Sequence, residues 1–224
     1  MATEKGEAFF SLSRREVEIM TAKILGLFWT LPGDELLSSR QAVLLIGRYC
    51  EEHRFYHNLR HIRAMLAAAE KFKDKFADYD SVRLAVWFHD AIYDPQAKTN
   101  EIESATLAVE ILSYLNVSAA KIEKVEKMIL ATQKHDAAKL NADGRLFLDL
   151  DLGILGAQKE VYKNYSKAIR EEYSFVPESL YREKRREILG DFLQREFIFY
   201  THEMRKLLEQ PARVNIANEI KDLS

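Results

Sequence analysis

Cysteine occurs once, at Cys50, in a chain of 224 residues. A lone thiol closes no intrachain disulfide and builds no thiolate zinc site, so nothing points to an oxidising compartment and a cytoplasmic setting is the expectation. Glycine and proline are almost as scarce, at eight and four. Turn chemistry is correspondingly thin: the one Asp-Gly pair, Asp143-Gly144, lacks alternating strand patterns on both sides, so hairpins are not expected. Long apolar runs are missing too. Stretches such as Ala42 to Ile46 are far too short to span a bilayer. The opening MATEKGEAFFSLSRREVEIM mixes acids with its apolar residues and lacks the unbroken apolar centre of a signal peptide. A net charge of -2 leaves no broad basic field to hold nucleic acid or an anionic membrane.

Several catalytic signatures are also absent. There is no Glu-x-x-His pair of the di-iron bundles and no His-Glu-x-x-His of the zinc proteases. The phosphate cradles Gly-x-x-x-x-Gly-Lys-Ser/Thr and Gly-x-Gly-x-x-Gly are missing, as is the Gly-x-Ser-x-Gly elbow of serine hydrolases.

What is present is helical periodicity in an ordinary globular composition, 47% hydrophobic and 30% charged. Val17, Met20, Ile24, Leu25 and Phe28 follow a 3.6-residue period that Pro32-Gly33 ends. A second helix is expected after Ser38-Ser39 through Val43, Leu44 and Ile46, and a third from an Asn58 N-cap through Leu59, Ile62, Met65, Leu66, Ala69 and Phe72. Asp80 is placed as the cap of a fourth, with Val82, Ala85, Val86 and Phe88 inside. Asn100 with Glu103 reads as a variant capping box, and Ser118 opens the next helix. A loop is expected over 141–144, helix over 146–155, and helices with breaks near Pro177 and Pro211 thereafter. Neither repeats nor linkers interrupt the chain, so the expectation is an all-α, single-domain bundle over 1–224, with a core at about 40–156 and a helical extension over 157–224.

Chemistry concentrates in a few polar residues set among apolar ones. Tyr56-His57-Asn58-Leu59-Arg60-His61 holds two of the six histidines. His89-Asp90 closes the apolar run Leu84-Ala85-Val86-Trp87-Phe88, and Asp149 and Asp151 interrupt Leu146 to Leu152. A buried carboxylate costs several kcal/mol unless paired or bound to a cation, and a divalent metal is an efficient compensator. Acids two apart on a helix point in different directions, so at most one of Asp149 and Asp151 faces a given site. Each piece alone also fits packing or capping.

The order His61, His89-Asp90, Asp151 resembles the H…HD…D signature of the HD superfamily of metal-dependent phosphohydrolases. YHNLRH is similar to an element of the cyclic nucleotide phosphodiesterases. The likeness extends to a group of uncharacterised HD phosphohydrolases through Arg54 to Ile62, Trp87 to Asp94 and Phe147 to Gly156, and the phrase Ala212-Arg213-x-Asn215 adds to it.

The resemblance implies His61, His89, Asp90 and Asp151 as ligands of one divalent ion, with Mn, Fe, Ni, Zn and Mg all compatible with imidazole and carboxylate donors. Asp151 is preferred to Asp149 because Asp151 to Gly156 fits a D-x-x-x-L-G form; Asp149 then supports a ligand or is structural. His57 takes the place of a general acid, a role suited to imidazole near neutral pH, and Asp90 counts as catalytic as well as ligating. Arg54, Tyr93, Lys134 and His135 are the expected substrate contacts, with Arg60, Asp94 and the cluster Tyr181 to Arg186 as further candidates. His53 and His202 are expected to be non-catalytic. The implied activity is hydrolysis of a phosphoester or phosphoanhydride of a nucleotide or related small molecule. No nucleic-acid or membrane partner is expected, and an oligomer is compatible with the sequence. The rival readings are a metal-retaining, nucleotide-sensing module without turnover, and a helical interaction protein.

Overall fold

A computed structural model describes residues 12–224. Part of the opening stretch read above against a signal peptide, residues 1–11, lies outside the described residues. Among the described residues the chain forms ten α-helices and no strand: α1 (Arg14–Phe28), α2 (Glu35–Arg48), α3 (Leu59–Lys71), α4 (Tyr79–Phe88), α5 (Asn100–Tyr114), α6 (Ala119–Thr132), α7 (Ala142–Asp151), α8 (Lys159–Glu172), α9 (Glu178–Gln194) and α10 (His202–Asp222). Short 3-10 turns cover Lys73–Lys75 and Leu152–Gly156. The all-α expectation is met. No helix among the described residues is long and apolar enough to cross a membrane.

Two compact units emerge, one ending at Phe147 and the other Leu148–Ser224, so the division falls inside the continuous helix α7 rather than after Gly156. In the first unit α4 is the central element. Val82, Leu84, Ala85, Val86, Trp87 and Phe88 are all buried, so nearly every side of its last two turns is covered. That pattern marks a core helix, since a surface helix keeps a polar stripe. Helices α3, α5 and α6 pack around it. Each large apolar side chain so buried contributes about 1.5–3 kcal/mol of transfer free energy.

Several boundaries differ from expectation, each for a local reason. The second helix begins at Glu35, because Asp34 accepts from the Leu37 N–H at 2.9 Å; Val43 and Leu44 then face outward. Asp78, not Asp80, caps α4 through Ser81 N–H at 3.2 Å. Thr99 precedes α5, and Asn100 instead ties down the loop, accepting from Asp94 N–H and donating to Asp94 C=O. Asp143-Gly144 is helical, with Asp143 buried and accepting from the N–H groups of Ala77 and Asp78 at 2.9 and 2.8 Å. Pro177 does precede a helix, but α10 runs through Pro211, whose ring sits on the exposed side where one lost backbone bond is tolerated.

The second unit has its own buried polar centre. Glu219 accepts from Arg185 Nε at 2.9 Å, from Ser166 Oγ at 2.9 Å and from the Tyr162 hydroxyl, so both carboxylate oxygens are occupied. Arg182 and Arg186 donate to carbonyls at the end of α10. The basic cluster from Tyr181 to Arg186 is therefore largely spent on holding α9 to α10. Gly156 permits the close approach of the 3-10 turn to α10: an added Cβ would lie 2.6 Å from Leu208 Cβ and 2.9 Å from its carbonyl oxygen.

Candidate metal centre

Two chain turns of the first unit build the site. In the earlier one Asn58 is 1% exposed and works in both directions: its side-chain oxygen accepts from Arg60 N–H at 2.9 Å, and its amide donates to the carbonyls of Arg54 and Phe55. This fixes the entrance to α3 and leaves His57 just before the helix and His61 one turn inside it. The later turn is the end of α4, where His89 is the C-cap. Its Nδ1 donates to the Val86 carbonyl at 3.0 Å.

Arg54 welds these turns together. Its side chain has no exposed surface, and it donates to Glu51 and to the carbonyls of His57, Asp90 and Ala91 at 2.9, 3.1, 2.6 and 3.1 Å. The guanidinium also sits over the rings of Tyr49 and Tyr93. A cation placed on the carbonyls that trail α4 is favoured by the helix dipole as well. This corrects the expectation for Arg54: the guanidinium is committed to backbone carbonyls and is not open to a phosphate.

The tautomer of His89 decides the chemistry of the centre. A carbonyl only accepts, so Nδ1 carries a proton and Nε2 is the nitrogen left for a shared proton or a metal ion. Nε2 faces His61 Nε2 at 3.2 Å and Asp90 Oδ2 at 2.9 Å. Two lone pairs and a carboxylate oxygen at such distances repel unless a positive centre lies among them, either a proton or a metal ion. Donor atoms bound to one ion at about 2.1 Å and 90–109° apart stand roughly 3.0–3.4 Å from each other. The observed separations suit neighbouring positions on one ion, and the chemistry of the donor set fits.

Asp90 is 17% exposed and also lies 3.8 Å from His61 Nε2. Burial pushes its carboxyl up, but the charge and hydrogen bond of His89, followed by the charges of His57 and His61, hold it well below the usual carboxylate range. Phe147 stands edge-on to the His89 ring, with centroids 6.0 Å apart. Asp151 follows one turn later on the same helix face. His61, His89 and Asp151 each offer a ligand atom, all within 4.8 Å of one another, a group that could hold a metal ion.

The other expected residues are distributed as follows. Asp149 is fully buried and points elsewhere, accepting from the N–H groups of Tyr200 and Thr201 at 2.7 Å each and from Thr201 Oγ1 at 2.6 Å. Its task is to anchor the start of α10. His57 stacks on Tyr93 at 4.3 Å, and His53 stacks on the same ring at 6.2 Å while bonding to the Tyr93 carbonyl. Lys134 is exposed. His135 occupies a left-handed turn after α6, at φ 46°. Arg60 pairs with Glu16, and Asp94 accepts from Gln96 N–H. His202 is exposed at the start of α10.

No motif marks Tyr49, whose hydroxyl donates to the Trp87 carbonyl at 2.9 Å and steadies the end of α4. Glu51, the carboxylate partner of Arg54, carries no motif either. Comparison with protein-family models, with curated proteins and with solved structures finds no match to this chain.

Proposed function

We propose that the chain is a metal-dependent phosphohydrolase of the HD type, cleaving a phosphoester or phosphoanhydride of a nucleotide or related small molecule. The observation that supports this reading is the convergence of His89 Nε2 with His61 Nε2 at 3.2 Å and Asp90 Oδ2 at 2.9 Å, both ligand-to-ligand distances. His61, His89, Asp90 and Asp151 would hold the ion. A divalent ion supplies Lewis acidity, lowering the pKa of a coordinated water from near 16 toward about 7 and polarising a phosphoryl oxygen.

The chain's own residues supply the rest. His57 sits just outside α3, stacked on Tyr93 and with its ring centroid 6.2 Å from that of His61. In that position it donates a proton to the leaving oxygen. Tyr93 keeps the imidazole face covered, and Arg54 fixes the His57 backbone through its carbonyl. With Arg54 committed, phosphate charge falls to cations nearer the surface, such as Lys134, with His135 beside it in the chain.

The test is a turnover screen of nucleotides, dinucleotides, pyrophosphate and generic phosphoesters with several divalent metals. It is run on the wild type, Asp151→Asn and His57→Ala. Asp151→Asn should lose metal and activity together. His57→Ala should keep metal and lose rate by a general-acid factor of roughly 10²–10⁴. Equal metal loss in both variants makes His57 a ligand and overturns its role as the acid. Metal binding without turnover of any substrate class would leave a sensing module in place of an enzyme.

A further inference from the structure

His53 lies outside the catalytic set, yet it makes two directed contacts with one residue 40 positions away in the chain. Its Nε2 stands 2.8 Å from the Tyr93 carbonyl, and its ring lies nearly parallel to the Tyr93 ring, at 8° with 6.2 Å between centroids. A carbonyl only accepts, so Nε2 carries the proton of this bond. Glu51 Oε2, which accepts from Arg54 Nε, stands 3.7 Å from the same nitrogen. The His53 side chain is nonetheless 47% exposed. A surface imidazole that spends its donor and its ring on one distant residue calls for a reason.

Tyr93 in turn stacks on the His57 imidazole, at 4.3 Å and 29°. His53 and His57 precede α3, while Tyr93 follows α4, so the column of three rings joins two loops. Arg54 holds the backbone of both loops through the carbonyls of His57, Asp90 and Ala91, which leaves the ring torsions to be set by other contacts. The χ2 torsion of an aromatic or imidazole ring has a broad minimum, so its plane is fixed by what packs on it. On either side of Tyr93 the backbone is tied to α5: Ile92 exchanges hydrogen bonds with the Ser104 hydroxyl, and Asp94 with the Asn100 side chain. The Tyr93 carbonyl turns the other way, to His53.

We propose that His53 is a positioning residue: its hydrogen bond to the Tyr93 carbonyl and its parallel ring hold Tyr93 in place, and Tyr93 holds the His57 imidazole in the orientation from which it donates its proton. The donation rests on the hydrolase reading above; the ring column does not. Displacing a reacting group by about 1 Å costs up to about a hundredfold in rate, whereas one exposed hydrogen bond contributes little to global stability. Loss of His53 therefore acts on the His57 ring while the fold and the metal ligands stay in place.

The experiment follows the carbon-bound protons of the His57 ring by NMR in the full chain, with the signals assigned by their loss in His57→Ala. The Tyr93 ring current moves them upfield in the wild type, and Tyr93→Leu should return them. His53→Ala should move them by at least half of that displacement, whereas His53→Gln, which keeps an N–H donor at the reach of Nε2, should leave them near the wild-type position. A His53→Ala spectrum that matches wild type at these signals overturns the proposal. Turnover of phenyl phosphate and 4-nitrophenyl phosphate with manganese adds a chemical readout. Phenoxide is the more basic leaving group and depends more on a donated proton, so His53→Ala should lower kcat on phenyl phosphate about tenfold and on 4-nitrophenyl phosphate less, with KM and manganese affinity unchanged. His53→Gln should recover most of that loss. An equal loss on both esters overturns the positioning of the acid. Absence of wild-type turnover on either ester counts against the hydrolase reading alone, because the NMR comparison decides by itself whether His53 sets the His57 ring.

Discussion

Metal binding at His61 and His89 should release about one proton per ion. The Val86 carbonyl fixes the His89 proton on Nδ1, and its Nε2 then stands 2.9 Å from Asp90 Oδ2 and 3.2 Å from His61 Nε2. Without a metal, a proton must lie among those three atoms. An incoming divalent ion takes its place, because ligands bind metal deprotonated. Each proton displaced costs a factor of ten in apparent affinity per unit fall in pH, or about 1.4 kcal/mol. From pH 7 to pH 6 the affinity for manganese or zinc should therefore drop about tenfold. Titration calorimetry of chelator-stripped protein, repeated in two buffers of different ionisation heat, gives proton release and affinity together. An affinity that stays level across that interval, with no buffer-dependent heat, would refute the assignment of the His89 tautomer and with it the case for a metal.

Other perturbations reach different parts of the molecule. Replacing Glu219 by Leu leaves Arg185 buried beside Tyr162 without its carboxylate, and chemical denaturation should show a loss of about 3–5 kcal/mol. His135→Gly relieves a left-handed backbone at φ 46° and should raise stability by about 1 kcal/mol, while any fall in turnover would mark the imidazole as a substrate contact. Gly156→Ala drives a methyl into the α10 backbone at Leu208 and should destabilise the second unit by about 1–3 kcal/mol, read by its melting midpoint. The Arg60 hydrogen bond lowers the Glu16 carboxyl to about 2, a depressed folded-state value whose stabilisation is present above the ordinary carboxyl range and lost as pH falls from about 4.5 to 2. Arg60→Gln should flatten the acid denaturation curve in that window by about 1 kcal/mol or less.

Helices were legible wherever apolar spacing and caps agreed. Asn58 and the apolar face of α3 were recognisable because both signals are local: one side chain bonding two residues away, and a period visible within one stretch. The start of α4 was misplaced by two residues because Asp78 and Asp80 are equally good capping residues in isolation. The choice falls to Asp78 through its pairing with Lys121 and Lys124, more than forty residues away. Pro211 misled because helix-breaking rules omit which side of a helix meets water. At the centre, the residue types and their order could be read, but the commitment of Arg54 to three carbonyls could not. Backbone acceptors have no letter in a sequence.

The fork of Arg54 bears on any attempt to transplant this centre. A copy carrying only the imidazoles and carboxylates onto another scaffold would leave the loop before α3 and the tail of α4 free to drift apart. Lysine in its place would keep the positive charge but could not reach the carbonyls of His57, Asp90 and Ala91 at once. The smallest portable unit therefore includes a residue committed to backbone carbonyls, together with the two tyrosine rings it packs on.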